Sequence, residues 1–119
     1  MTNNLPDNNL TPIVKKTLDL YKLLYGILAT FPKRDKYILG AHLENCLLQI
    51  LDNLLQASAM PKTEKWPKLI LANSQLEMLK IFIRLARELK IIDDKKYLAL
   101  EQRVAEIGRM LGGWMKFLK

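Results

Sequence analysis

The chain has 119 residues, 50% of them hydrophobic and 26% charged, and carries a net charge of +7. That length and composition fit one globular core and exclude a disordered chain, while no uninterrupted apolar run approaches the ~18 residues of a membrane span. A single cysteine, Cys46, excludes an internal disulfide, and the first residues lack the basic and apolar parts of a signal peptide, so a cytoplasmic protein without a membrane partner is the expectation.

Residues 1–10 are rich in Asn and aperiodic and read as a tail, which leaves 11–119 as the domain. Thr11 followed by Pro12 reads as a helix start: a Thr hydroxyl can cap free amides, and Pro suits the first helical position. The first helix is predicted to run to about Phe31, with Ile13, Leu20, Leu24, Ile27 and Phe31 on one stripe and Val14, Leu18, Tyr21, Tyr25 and Leu28 beside it. Pro32 breaks the pattern. A second helix follows from about Arg34 to Met60, with Leu39, Leu43, Cys46, Ile50, Leu54 and Ala57 on one stripe and Leu47, Leu51 and Ser58 flanking it. The polar segment between Pro61 and Pro67 is the longest connection.

The third helix is predicted over roughly Lys68 to Lys90. Leu69, Ala72, Leu76, Leu79, Ile83 and Ala86 form one stripe, and Leu71, Met78, Phe82, Leu85 and Leu89 form a second beside it. Together they span roughly 180°, against the ~100° that a surface helix buries. Such a helix calls for two partners: its own bundle and a second copy of the chain. Lys80, Arg84 and Arg87 fall within about 60° of one another on the remaining surface, so an oligomer would repeat a positive stripe.

Asp93 and Asp94 suit the cap of a fourth helix. There Tyr97, Leu100, Val104, Ile107, Leu111, Trp114 and Leu118 step by three or four, the spacing of a bundle seam. Ala105, Gly108 and Gly112 make a small-residue flank that is expected to permit tight packing. Four helices with short connections give an all-α, up-down-up-down four-helix bundle with no second domain.

Catalytic chemistry has little to work with. His42 and Cys46 lie four apart, a spacing that supplies two metal ligands where a structural zinc needs about four, so no metal or cofactor is expected. Arg34 and His42 are separated by seven residues, which misses the four to six of helical HEPN nucleases, and the acidic residues never form the paired pattern of di-iron bundles. A non-enzyme is the expectation, with a nuclease using His42 as the rival.

The charge favours an acidic partner, most often nucleic acid. The excess sits on residues 61–92, where seven cations face three anions. The best candidate contacts are Lys80, Arg84 and Arg87, although Glu77 and Glu88 stand at ion-pairing distance from Lys80 and Arg84 along the helix. Arg109 and Lys116, with Gln102, form a weaker second patch, and Lys62, Lys65 and Lys68 a third. Trp114 belongs to the seam and is expected in the core. Trp66 either stacks on a base or staples the loop to the bundle, and the staple is favoured.

The stretches Leu76-Glu77-Met78-Leu79-Lys80-Ile81-Phe82-Ile83-Arg84-Leu85-Ala86 and Val104-Ala105-Glu106-Ile107-Gly108-Arg109-Met110-Leu111-Gly112-Gly113-Trp114 resemble the accessory variability determinant of diversity-generating retroelements. A broader relative is the four-helix-bundle family that includes ribosomal-RNA intervening-sequence proteins. The resemblance covers about residues 12–118. It implies a ring-shaped homopentamer of four-helix protomers, without catalysis, that binds the element's reverse transcriptase and its template RNA or RNA/DNA hybrid and supports mutagenic reverse transcription. It also implies that Lys80 and Arg84 match basic positions of the family's third helix, whereas a long basic tail after the fourth helix has no counterpart here. The alternative it leaves is a ribosomal-RNA-associated bundle with no polymerase partner.

Overall fold

The computed structural model describes residues 11–119, and the tail assigned to 1–10 lies outside them. The described residues form four main helices and no strand. Helix α1 spans Pro12–Leu28. A short α-helical turn at Lys33–Asp35 and a π-helical turn at Lys36–Gly40 lead without a break into α2, Ala41–Ala59. A 3-10 turn at Lys62–Glu64 precedes α3, Trp66–Glu88, and α4 spans Asp94–Leu118.

Each helix packs antiparallel on its sequence neighbour, and α1 closes the bundle against α4. The direction is visible in single contacts. Lys16 pairs with Glu106 at 3.3 Å while Lys96 reaches the Thr30 hydroxyl at 3.4 Å, so α1 and α4 run opposite ways. The expected up-down-up-down order is the observed one.

Burial follows the apolar stripes closely. All six residues of the first α3 stripe are buried, as are Leu39, Leu43, Cys46, Ile50, Leu54 and Ala57 on the second helix and Leu100, Val104, Ile107 and Leu111 on α4. Burial of one such Leu or Ile contributes about 1.5–3 kcal/mol relative to exposure, so this spine dominates folding. Trp114, expected in the core, is only half-buried and packs against the core rather than within it. Tyr25, assigned to the α1 face, is exposed.

Helix boundaries depart from the sequence reading in three places. The Thr11 hydroxyl caps nothing: its Oγ1 is buried and finds no partner among the described residues, and α1 starts on the backbone of Pro12, with the Thr11 carbonyl accepting from Lys15 N–H at 3.1 Å. α1 stops at Leu28, three residues early, and Phe31 is buried from the turn instead. α3 starts at Trp66, because Pro67 fits inside a first turn that needs no donor from it.

The corner between α3 and α4 rests on one unusual residue. Ile91 N–H donates to the Ala86 carbonyl and Lys90 N–H to that of Arg87, both at 2.9 Å, the pairing of a Schellman cap. Its left-handed position is held by Lys90, with φ 62°. A glycine has no Cβ to strain there. Lys90→Gly is expected to raise stability by about 0.5–1 kcal/mol, read as a shift of the chemical-denaturation midpoint without a change in slope.

Candidate nucleic-acid interface

Because the first α3 stripe faces the core, the cations next to it are turned toward α4. Lys80 and Arg84 line a groove of about 510 Å³ between the two helices, together with Ile83 of α3 and Tyr97, Glu101 and Gln102 of α4. The groove is open along one side and carries both signs of charge.

The three cations of the stripe are not equivalent. Lys80 Nζ lies 2.9 Å from Glu77 Oε2, the intrahelical pair that the sequence spacing allows. Arg87 is committed across the corner: its Nε donates to Asp94 Oδ1 at 3.0 Å, and its guanidinium sits 4.6 Å from the centre of the Tyr97 ring. Asp94 thereby holds the Arg87 guanidinium above its ordinary pKa. Arg84, which the spacing would allow to pair with Glu88, has no ion pair or hydrogen bond among the described residues. Exposed pairs of the Lys80 kind add little to stability and exchange readily with other anions, so Arg84 and then Lys80 offer the most available charge.

Tyr97 is the member that sequence reasoning placed only on the seam. Its hydroxyl donates to Glu101 at 2.7 Å, which raises the phenol above its ordinary pKa and keeps it neutral. Its ring supports Arg87 from below. The only trace of this in the sequence is the Asp93-Asp94 cap, whose Asp93 accepts from Lys96 N–H at 2.8 Å and seats the first turn of α4 beside the last turn of α3.

Arg109 and Lys116 are exposed and lie one and two heptads beyond Gln102 on α4. Neither lines the groove, so the structure brings Lys80, Arg84 and Gln102 together and leaves these two apart. Lys116 stands at the far end of the bundle. The third patch is partly tied down: Lys65 donates to the Ala57 carbonyl at 2.6 Å and lies 5.6 Å from the Trp114 ring centre, while Lys62 lies 4.9 Å from that of Phe117. Lys65 thereby ties the loop to α2, while Trp66, favoured as the staple from the sequence, is 37% exposed.

His42 is exposed and stacks on Phe82, with ring centres 5.5 Å apart and planes 5° apart. No group of three or more His, Cys, Asp or Glu that could hold a metal occurs among the described residues. Cys46 is buried, and its thiol donates to the Gln75 carbonyl at 3.2 Å; burial pushes its pKa up, away from nucleophilic use. No helix among the described residues is long and apolar enough to cross a membrane.

The small-residue flank does not serve tight packing within the protomer. A Cβ on Gly108 would meet Leu76 at an ordinary 3.6 Å, and one on Gly112 would meet nothing within 4 Å. Of the flank, only Ala105 lines the groove. Gly112→Ala is expected to stabilise the protomer by up to about 1 kcal/mol through helix propensity, measured by thermal unfolding; a loss of stability would show that another backbone sits against it.

Residues 12–118 match the family model described as bAvd-like. No curated protein matches the chain. Among solved structures it is similar to a protein of unknown function from the S23 ribosomal protein family of Bacteroides thetaiotaomicron VPI-5482, with a TM-score of 0.79 and 16% identity over 87% of this chain and 95% of that one. That likeness is one of fold.

Proposed function

Because this chain belongs to the bAvd-like family, we propose that it is a non-catalytic accessory protein of a diversity-generating retroelement, one that binds the reverse transcriptase and the template RNA, or its hybrid with the DNA product, to support mutagenic reverse transcription. The observation that carries the reading is the extent of the family match, which spans all four helices. The work it assigns to this protein is electrostatic and scaffolding. Arg84 and Lys80 supply the first phosphate contacts, Arg87 adds fixed charge at the end of the stripe, and Arg109 and Lys116 extend the basic surface along α4.

Assembly into a ring, with five copies as the resemblance implies, draws support from the second α3 stripe. Leu71, Met78, Leu85 and Leu89 are 38–59% exposed, with Ile70 and Ile81 exposed beside them. A run of protruding aliphatic side chains on one helix face is the kind of patch that protein contacts cover. A ring would then repeat the Lys80–Arg84 groove in every copy, and phosphate contacts made together release counterions together.

The second reading, a bundle that associates with ribosomal RNA and has no polymerase partner, is favoured by the S23 ribosomal protein family of the structural neighbour. Native mass separates the two. The protein alone is expected to run as an oligomer, with a pentamer as the specific expectation, and to co-elute with its reverse transcriptase and template RNA. Co-elution with ribosomal RNA but not with the polymerase would select the second reading, and a monomer that binds neither would remove both.

The stripe has its own test. Arg84→Ala is expected to weaken RNA binding about evenly across sequences and to reduce the slope of log affinity against log salt by about one, and Lys80→Ala with Arg84→Ala by about two. The oligomer should persist in both variants. An unchanged salt titration would remove the stripe from the interface.

A further inference from the structure

The end of the bundle built from the α2–α3 connection and the last turns of α4 carries a second arrangement of charge and aromatic surface. Within residues 60–68 and 114–119 there are five cations, Lys62, Lys65, Lys68, Lys116 and Lys119, against the single anion Glu64. The side chains that protrude at this end are aromatic: Trp66 is 37% exposed and Phe117 72%. Neither belongs to the core, and the loop's side-chain hydrogen bond to α2 is made by Lys65.

We propose that this end is a stacking surface for unpaired nucleotides, with Phe117 and Trp66 as platforms and Lys62, Lys68 and Lys116 as phosphate contacts. Every base has a π-face, so exposed rings among lysines recognise single strands irrespective of sequence, whereas a duplex keeps its bases inside and offers only phosphates. Lys62 Nζ lies over the Phe117 ring, 4.9 Å from its centre, so the ammonium takes one face of that platform and a base would stack on the other, with its phosphate within reach of the lysines around it. Along α3 the distance from Trp66 to Arg84 is 18 residues, roughly 27 Å, so this surface is separate from the groove. The inference rests on the reading that the protein meets nucleic acid and adds the form recognised: a single strand at the bundle end.

The test compares a labelled 12-nucleotide oligo(U) with an RNA duplex of matched phosphate count by fluorescence anisotropy. Wild type is expected to prefer oligo(U). Phe117→Ala, at an exposed position that leaves the core untouched, should weaken oligo(U) binding about fivefold or more and leave the duplex unchanged; Trp66→Ala should act in the same direction, and Phe117→Tyr should retain binding. Arg84→Ala should weaken both RNAs alike. Oligo(U) binding that ignores Phe117 and Trp66 but falls with Arg84→Ala overturns this proposal and spares the groove. Binding of neither RNA by wild type overturns both. Phe117-dependent binding to phosphatidylserine vesicles, with none to oligo(U), would make the end a lipid contact and overturn it also.

Discussion

Asn53 sits in the seam between α2 and α3 with 8% of its surface exposed, and its amide donates to the Gln75 side chain at 2.9 Å. Gln75 in turn donates to Gln49 at 3.1 Å, and its backbone carbonyl takes the Cys46 thiol. Leucines recur on both helices at three-four spacing, so apolar contact alone would tolerate a slide of one turn. The amide pair would not: a slide would leave the buried Asn53 amide without its partner, at a cost of about 1–3 kcal/mol. Once α3 is held in this register and rotation, its core stripe points inward, Lys80 and Arg84 point toward α4, and Leu71, Met78 and Leu85 emerge at the surface.

The cationic face is therefore a by-product of core geometry, and the neighbours then sort its members. Arg87 is bound into the corner by Asp94 and Tyr97, Lys65 into the loop by a carbonyl, and Lys80 loosely to Glu77. Cations so placed shape the field without being free to reach, whereas Arg84 projects into the groove without an anion of its own. Net charge describes the whole surface; only contacts show which charges are available.

Much of this was legible from periodicity. The six-residue α3 stripe, the middle of the α4 seam and the antiparallel order all follow from spacing and from Pro32, Pro61 and Pro67, because a helix in a bundle must bury one face. What escaped was the chemistry between helices. The partnership of Arg87 with Asp94, the stacking of His42 on Phe82 and the stapling by Lys65 depend on which helix lies opposite, and one sequence carries no register between elements. Asn53 was missed for the same reason: alone it is an interruption in an apolar face, and only Gln75 makes it a reason for one. The excess apolar surface of α3 was legible as an amount, and the protomer shows that it lies outside the core.

The π-helical turn at Lys36–Gly40 has a consequence for how the second helix is phased. Lys36 stands seven residues before Leu43, which heads the heptad series Leu43, Ile50 and Ala57, all buried. An uninterrupted α-helix would carry Lys36 round to that same azimuth and press an ammonium toward the apolar interior. The wider turn unwinds the chain just enough to spare it, and Lys36 is exposed. Gly40 marks where the phase is corrected, since a Cβ there would come within 3.1 Å of Leu28 and 3.4 Å of Phe31. The turn thus works as a phase shifter, dividing one continuous helix into a basic lead that belongs to the solvent and an apolar shaft that belongs to the bundle.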